Sequence, residues 1–173
     1  PEATYFGLLN GMTQDPQGYM WFTTWGRGLL RYDGYHFITY VNDSTNAGSL
    51  AENYLHPVCA DDNGIIWIGT GRSGLDRLDP ETGVFSHLKH EQQNPQSLSD
   101  NRVTATLKAH DGTIWVGTAN GLNKLNQKTK TFTRYYYDPN DSASLTSNYI
   151  QVLYEDRQHN IWVGTRSQDD NSK

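Results

Sequence analysis

The chain has few of the features that mark membrane-spanning, nucleic-acid-binding or redox-active proteins. No run of about 18 apolar residues occurs, so we expect no transmembrane helix and no direct membrane insertion. Lys and Arg number 14 against 19 Asp and Glu, and a net charge of −5 argues against a protein that neutralises the phosphates of nucleic acid. The single cysteine, Cys59, lies in an apolar run over 55–60, which predicts a buried and unreactive thiol.

Catalytic and metal-binding motifs are also missing from the sequence. It contains no Gly-x-Ser-x-Gly, no His-Glu-x-x-His and no P-loop. The six histidines are scattered, and none pairs with another at a spacing that suggests zinc with a third ligand. Asp61 and Asp62 precede an Asn-Gly pair but lack the alternating oxygen ligands of a calcium loop, which favours a hairpin turn. We therefore predict no catalytic residue, no bound metal and no cofactor.

What the sequence does contain is a repeated unit marked by tryptophan. Four tryptophans lie 46, 48 and 47 residues apart within a recurring phrase Ile/Met-Trp-Val/Ile/Phe-Gly/Thr-Thr: Trp21, Trp67, Trp115 and Trp162. In the third unit, apolar runs over 101–107, 113–118, 122–126 and 131–137 are separated by turns such as Asp111-Gly112, which predicts four strands. A period in the forties with short apolar runs and Gly-containing turns is typical of a β-propeller blade.

The repeat predicts an all-β chain, a β-propeller built of four-stranded antiparallel blades of about 47 residues. We expect blades over about 5–41, 54–90 and 101–137, and half of a fourth blade over about 148–166. About 3.5 blades leave two open faces and unpaired strand edges. The chain is therefore expected to be part of a longer propeller, or to complete itself with a second copy as a homodimer through its open blade edges.

The connections between the units carry a signature of their own. Each ends in Ser-Leu-x-x-Asn, at 49–53, 97–101 and 144–148, so the linkers belong to the repeat. We expect the repeated Ser and Asn to cap exposed backbone, and each Trp to fill the wedge between neighbouring blades. Gly69, Gly117 and Gly164, which follow the tryptophans, are expected to leave room beside them. Thr23 replaces this glycine in the first unit, which suggests a specialised first blade.

These phrases resemble a known repeat. The runs Gly64-Ile-Ile-Trp-Ile-Gly-Thr70, Gly121-Leu-Asn-Lys-Leu-Asn126 and Gly28-Leu-Leu-Arg-Tyr-Asp-Gly34, joined by linkers ending Ser-Leu-x-x-Asn, resemble the two-component regulator propeller repeat. The resemblance implies a seven-bladed propeller in the extracytoplasmic sensor region of a bacterial hybrid histidine kinase. It also implies a periplasmic location, a small ligand that is often a carbohydrate, and further blades of the same receptor as partners.

The loops between second and third strands are the best candidates for a ligand site. In a propeller these loops and the blade-to-blade linkers gather at one face, where their residues can vary without disturbing the packing. At comparable points of successive units they contain a cationic arc: Arg27, Arg72, Asn120 and Arg166. Together with an exposed Trp25, the arc is predicted to bind an anionic saccharide, because guanidinium groups match carboxylate or sulfate and indole matches a sugar ring.

Three functions are consistent with this sequence. The first is a non-enzymatic ligand sensor that biases a cytoplasmic kinase. The second is an enzyme similar to streptogramin lyases, which should close its propeller within one chain and present His and Glu together at one face. The third is a structural interaction scaffold similar in architecture to WD-repeat proteins, although the sequence lacks their Gly-His and Trp-Asp signatures.

Overall fold

The computed structural model describes residues 7–166, which form strands, turns and loops without any helix. Fourteen strands are arranged in three four-stranded sheets and one hairpin. The first sheet contains β1 (Leu9–Gln14), β2 (Met20–Thr24), β3 (Leu29–Tyr32) and β4 (Phe37–Tyr40). The second contains β5 (Leu55–Ala60), β6 (Ile66–Thr70), β7 (Leu75–Asp79) and β8 (Val84–Leu88). The third contains β9 (Val103–Lys108), β10 (Ile114–Thr118), β11 (Gly121–Asn126) and β12 (Thr131–Tyr135), and the hairpin is β13 (Tyr149–Glu155) with β14 (Ile161–Arg166).

Within each sheet the strands follow one another in chain order, and all neighbours are antiparallel. The first strands of consecutive sheets pack together: β1 contacts β5, β5 contacts β9, and β9 contacts β13. The first strands therefore lie nearest to a common axis, and the later strands lie progressively outward. This arrangement confirms the predicted all-β fold of four-stranded antiparallel propeller blades. No helix of the described chain is long and apolar enough to span a membrane.

The core consists of layers between consecutive sheets, and a tryptophan belongs to each layer. Trp21 packs with Leu55, Ile66 and Phe85 between the first and second sheets. Trp67 does the same with Val103 between the second and third sheets, and Trp115 packs beside Ile150 of the hairpin. Trp162 follows the same pattern, but no described sheet packs beyond it, and the residue is 62% exposed. The predicted wedge role is therefore confirmed for the first three tryptophans.

Two of the glycines that follow these tryptophans make room for the next sheet. A Cβ atom at Gly69 would lie 2.6 Å from Cγ1 of Val103, and one at Gly117 would lie 2.5 Å from Cγ2 of Ile150. Both neighbours belong to the first strand of the following sheet. Val103 belongs to the same hydrophobic cluster as Trp67, and Ile150 to the same cluster as Trp115. The room that these glycines leave beside the tryptophans is therefore occupied by the next sheet, which approaches closely across the interface between blades.

Turns and linkers repeat their hydrogen bonds from sheet to sheet. The indole Nε1 of Trp21, Trp67 and Trp162 donates to the carboxylate of an aspartate six residues earlier, at 2.7, 3.1 and 2.8 Å. In the linkers, the Oγ of Ser49, Ser97 and Ser144 accepts from the backbone N–H six residues before it. The Oδ1 of Asn53, Asn101 and Asn148 accepts from the residue eleven positions earlier. These bonds satisfy linker backbone that no strand pairs, as the repeated Ser and Asn predicted.

Candidate functional site

The loops between second and third strands meet the ends of the linkers at one face of the sheets. The carbonyl of Asn53 accepts from the N–H of Gly26 and Gly28, the carbonyl of Asn101 accepts from Gly74, and the carbonyl of Asn148 accepts from Gly121. Each linker is thus tied to the β2–β3, β6–β7 or β10–β11 loop of the sheet before it. This face collects loop residues from three sheets, and it is the face on which the sequence predicted a site.

A cavity of about 710 Å³ lies at this face, where the first three sheets meet. Its volume is within the range of small-molecule sites, which is roughly 300–1,000 Å³. The residues that line it come from the β2–β3 loop, the two linkers, β5 and the β6–β7 loop: Trp25, Glu52, Tyr54, His56, Gly71, Arg72, Asp100, Asn101 and Arg102. We call these residues the axial pocket.

Aromatic rings form one wall of the axial pocket. Trp25 and Tyr54 pair as an isolated antiparallel bridge, and their rings meet edge to face with centroids 5.7 Å apart. The ring of His56 lies 5.5 Å from that of Trp25. Trp25 and Tyr54 are each 52% exposed, so about half of each residue's surface faces solvent. The wall can therefore offer an apolar surface to a ligand without further rearrangement.

Local backbone geometry places these rings. Gly26 has a φ of +89°, and a Cβ atom there would lie 3.3 Å from the Tyr54 ring, so the residue after Trp25 must be small and tolerate a left-handed conformation. His56 lies where the register of β5 with β6 shifts between Leu55 and Val58. Such an irregularity can redirect side chains relative to regular strand alternation. The pocket thus depends on a left-handed turn and on an interruption of the strand pairing.

Charged groups also line the axial pocket, two of them cationic and two anionic. The lining contains Arg72 and Arg102 together with Glu52 and Asp100. Glu52 Oε1 accepts from the backbone N–H of Arg72 at 2.6 Å and of Ser73 at 3.1 Å, so this carboxylate fixes the β6–β7 loop. The guanidinium of Arg102 lies 5.7 Å from the ring centre of Tyr149, the first residue of β13. Glu52 thus holds the backbone at Arg72, and the Arg102 side chain contacts the first strand of the hairpin.

The surroundings of His56 in the pocket lower the pKa of its imidazole. Burial lowers the pKa of His56, the positive charge of Arg102 lowers it further, and the negative charge of Glu52 partly opposes both. The imidazole is thus held below its usual pKa of about 6.5 and is neutral at pH 7. A neutral imidazole presents one hydrogen-bond donor and one acceptor, which suits hydroxyl groups of a ligand.

Of the five ligand-binding residues predicted from the sequence, the axial pocket brings together Trp25 and Arg72. Arg27, at the same face, lies beside Gly7 and is not among the lining residues. Asn120 and Arg166 are exposed in the corresponding loop of the third sheet and at the end of β14, and they do not line the pocket either. Ser167, which follows Arg166 in the predicted loop, lies outside the described residues.

Sequence reasoning missed the pocket residues that the linkers contribute. Tyr54 and Arg102 each follow the Asn of a Ser-Leu-x-x-Asn signature, and Tyr149 occupies the same position after Asn148. The residue directly after the repeated Asn differs from one linker to the next, and this variation could have identified them. His56 had no such signal, because its place in the pocket depends on the strand irregularity.

Comparison with protein families identifies the repeat. The family model of the two component regulator propeller matches residues 97–120 and 144–167, which confirms the predicted recognition of this repeat. A comparison with curated proteins finds no match.

Solved structures support the same fold. The chain is similar to the extracellular domain of a protein described as a hybrid two component system from B. thetaiotaomicron, with 32% identity over 92% of this chain and 22% of that chain, and a TM-score of 0.78. A second such domain from the same organism has 20% identity over 95% of this chain and 27% of that chain, with a TM-score of 0.54. Virginiamycin B lyase from Staphylococcus aureus has 15% identity over 94% of this chain and 50% of that chain, with a TM-score of 0.67. The last two show the fold alone, and the chain spans about a quarter of the two receptor domains.

Proposed function

Because the chain carries two component regulator propeller repeats, we propose that it is a ligand-recognising segment of the extracytoplasmic propeller of a bacterial signalling receptor. The observation that carries the proposal is the axial pocket, where the first two sheets and the two linkers that follow them contribute aromatic and charged side chains to one cavity. The similarity to the extracellular domain of a hybrid two component system supports a periplasmic location and an intracellular kinase as the output of the whole receptor.

The ligand class that best fits the axial pocket is a carbohydrate. Trp25 and Tyr54 offer partly exposed rings on which the apolar face of a sugar can pack. Arg102, Asp100 and the neutral His56 supply donors and acceptors for hydroxyl groups. Since the two arginines of the lining are matched by two carboxylates, we propose a neutral saccharide rather than the anionic one suggested by the arginine arc alone.

Signalling then requires that the ligand favour one arrangement of the receptor over another. A ligand in the axial pocket contacts the loops of the first and second sheets and the linkers before the second and third. It can shift an equilibrium between two arrangements of these blades only by the difference in its affinity for them. We propose that this difference is transmitted to the pairing of receptor subunits, with the remaining blades or a second copy of the chain packing on the open faces.

Binding of short oligosaccharides tests the proposal. Isothermal titration with neutral and with uronate-containing oligosaccharides identifies the preferred class, and Trp25→Ala and Arg102→Ala are each expected to weaken binding at least tenfold. Asn120→Ala and Arg166→Ala are matched controls on loops outside the pocket, and they should leave the affinity unchanged. If the controls weaken binding as much as the pocket variants, the extended arc is the site instead. If no oligosaccharide binds, the carbohydrate proposal is wrong.

A propeller enzyme similar to streptogramin lyases is the second candidate. The observation in its favour is that Glu52 and His56 line the same pocket, which is the combination expected of such an enzyme. Against it, Glu52 already accepts two backbone N–H groups and thereby holds the β6–β7 loop. Incubation with a streptogramin B antibiotic and Mg²⁺ separates the two, with chromatography and tandem mass spectrometry used to distinguish the opened lactone from the ring of equal mass. Ring opening that is lost in His56→Ala would establish the enzyme.

A further inference from the structure

At the opposite ends of the strands, two histidines and a glutamate from adjacent repeats converge. The β9–β10 turn contributes His110, the end of β13 contributes Glu155, and the β13–β14 turn contributes His159. One donor atom of each lies within 4.8 Å of the others. Nδ1 of His110 and Nδ1 of His159 lie 2.5 and 3.1 Å from the same carboxylate oxygen, Glu155 Oε1. The two imidazole rings stack with centroids 3.4 Å apart.

The cluster is held together by contacts of Glu155 with both histidines. The second carboxylate oxygen of Glu155, Oε2, accepts from the backbone N–H of His110 at 2.8 Å, which fixes the carboxylate and turns Oε1 toward the two imidazoles. The side chain of Glu155 is 12% exposed, whereas those of His110 and His159 are 51% and 53% exposed. The glutamate is thus anchored between the two turns, and the histidines are open to solvent on the other side.

Comparison of the repeats shows that this junction differs from its equivalent. Glu155 and Lys108 are equivalent positions, each seven residues before the tryptophan of its repeat. His110 and Asp62 are also equivalent, each five residues before its tryptophan. Between the second and third sheets the equivalent contact is an ordinary ion pair, Lys108 Nζ to Asp62 Oδ1 at 2.6 Å. The junction of the third sheet with the hairpin therefore replaces an ion pair with a His and Glu pair, and adds a second histidine.

The second histidine occupies a position that glycine fills in the other turns. Three residues before each tryptophan stand Gly18, Gly64 and Gly112, with φ angles of +93°, +79° and +80°. His159 takes this position in the last turn with a φ of +65°. A side chain in this left-handed region is strained relative to glycine, and such strain is often retained where the side chain has a functional role. Here the strained position brings the His159 imidazole to Glu155 and His110.

We propose that His110, Glu155 and His159 form a binding site for a divalent transition-metal ion that joins the third sheet to the β13–β14 hairpin. Two imidazole nitrogens and one carboxylate oxygen are a donor set suited to Zn²⁺, and less so to Mg²⁺ or Ca²⁺, which prefer oxygen ligands. Tetrahedral Zn²⁺ with bonds of about 2.0–2.1 Å needs donors roughly 3.3 Å apart. The exposed histidines can part by the small amount needed, and solvent can complete the coordination.

Titration of Zn²⁺ into the chain, prepared without a histidine tag, tests the proposal. One ion per chain is expected to bind, and Zn²⁺ at a hundredfold excess over Kd should raise Tm by roughly 5–10 °C, reversed by EDTA. The Co²⁺-loaded chain should show visible absorption typical of tetrahedral coordination by nitrogen and oxygen. Absence of stoichiometric Zn²⁺ binding to the wild-type chain would show that the cluster is only a hydrogen-bonded contact, and the proposal would be wrong.

The variants are chosen so that loss of binding is not confused with loss of folding. His159→Gly restores the residue of the other three turns, so the metal-free variant should be at least as stable as the wild type and yet lose the Zn²⁺ response. His110→Ala should lose it as well, and Glu155→Gln should weaken Zn²⁺ binding at least tenfold. His36→Ala, in the β3–β4 turn of the first sheet, is the matched control and should bind like the wild type. An unchanged Zn²⁺ affinity in H159G and H110A would overturn the assignment.

Discussion

Placing a methyl group on Gly69 tests whether close approach of the next sheet holds the blades together. In Gly69→Ala the new Cβ would lie 2.6 Å from Val103 Cγ1 and 2.8 Å from two ring carbons of Pro57. Val103 is fully buried, so it has no free space into which to move. Overpacking of this kind costs about 1–3 kcal/mol, offset by about 0.5–1 kcal/mol because alanine restricts the unfolded chain. We expect a net loss of about 1–2 kcal/mol in the free energy of unfolding.

Gly164→Ala is the matched control for this effect. Its Cβ would lie 2.5 Å from Cγ1 of Val152, but Val152 is 56% exposed and can rotate away. We therefore expect its free energy of unfolding to stay within about 0.5 kcal/mol of the wild type. Thr23 shows that the same position accepts a side chain where the neighbour differs, since its Oγ1 donates to the carbonyl of His56 at 2.5 Å.

Equilibrium unfolding in urea measures both variants. For an m-value of about 2 kcal/mol/M, Gly69→Ala should lower the midpoint by roughly 0.5–1 M, and Gly164→Ala should leave it nearly unchanged. Adding Val103→Ala to Gly69→Ala removes the crowded methyl groups, so the double variant should lose less stability than the two single losses together predict. Equal midpoints for Gly69→Ala and the wild type, or strict additivity in the double variant, would refute the reasoning.

Three further predictions concern single side chains. Arg134→Met should cost about 1–3 kcal/mol in a urea titration, because the guanidinium donates to the carbonyls of Asn94, Ser97 and Leu98 in the preceding linker. A hydrogen bond to Asp76 raises the pKa of His87, so its contribution to stability is complete below pH of about 6.5 and is lost as pH rises through the raised value. The difference in urea midpoint between the wild type and His87→Gln should therefore shrink as the pH rises from about 5.5 to about 9. Burial raises the pKa of Cys59 to about 12, so the folded chain should not react with a thiol reagent at neutral pH until urea unfolds it.

The repeat register determined most of the fold. The tryptophan period, the Gly-containing turns and the Ser-Leu-x-x-Asn linkers specify local hydrogen bonds and a strand pattern that recur, with few exceptions, from unit to unit. Each of these features acts within one repeat or at its border, so it can be recognised from the sequence without knowing how the repeats pack. The loop argument also located Trp25 and Arg72 on the face that contains the axial pocket.

Only the tertiary structure decided which residues of different repeats meet. His110 and His159 are separated by 49 positions, and nothing in their spacing suggested a pair. Their rings meet because the packing of successive sheets brings equivalent turns side by side. The same packing brings Tyr54, His56 and Arg102 around Trp25, and it places Val103 in the space beside Gly69. Sequence periodicity specifies the unit, whereas the packing of one unit against the next sets the distances between side chains on which binding depends.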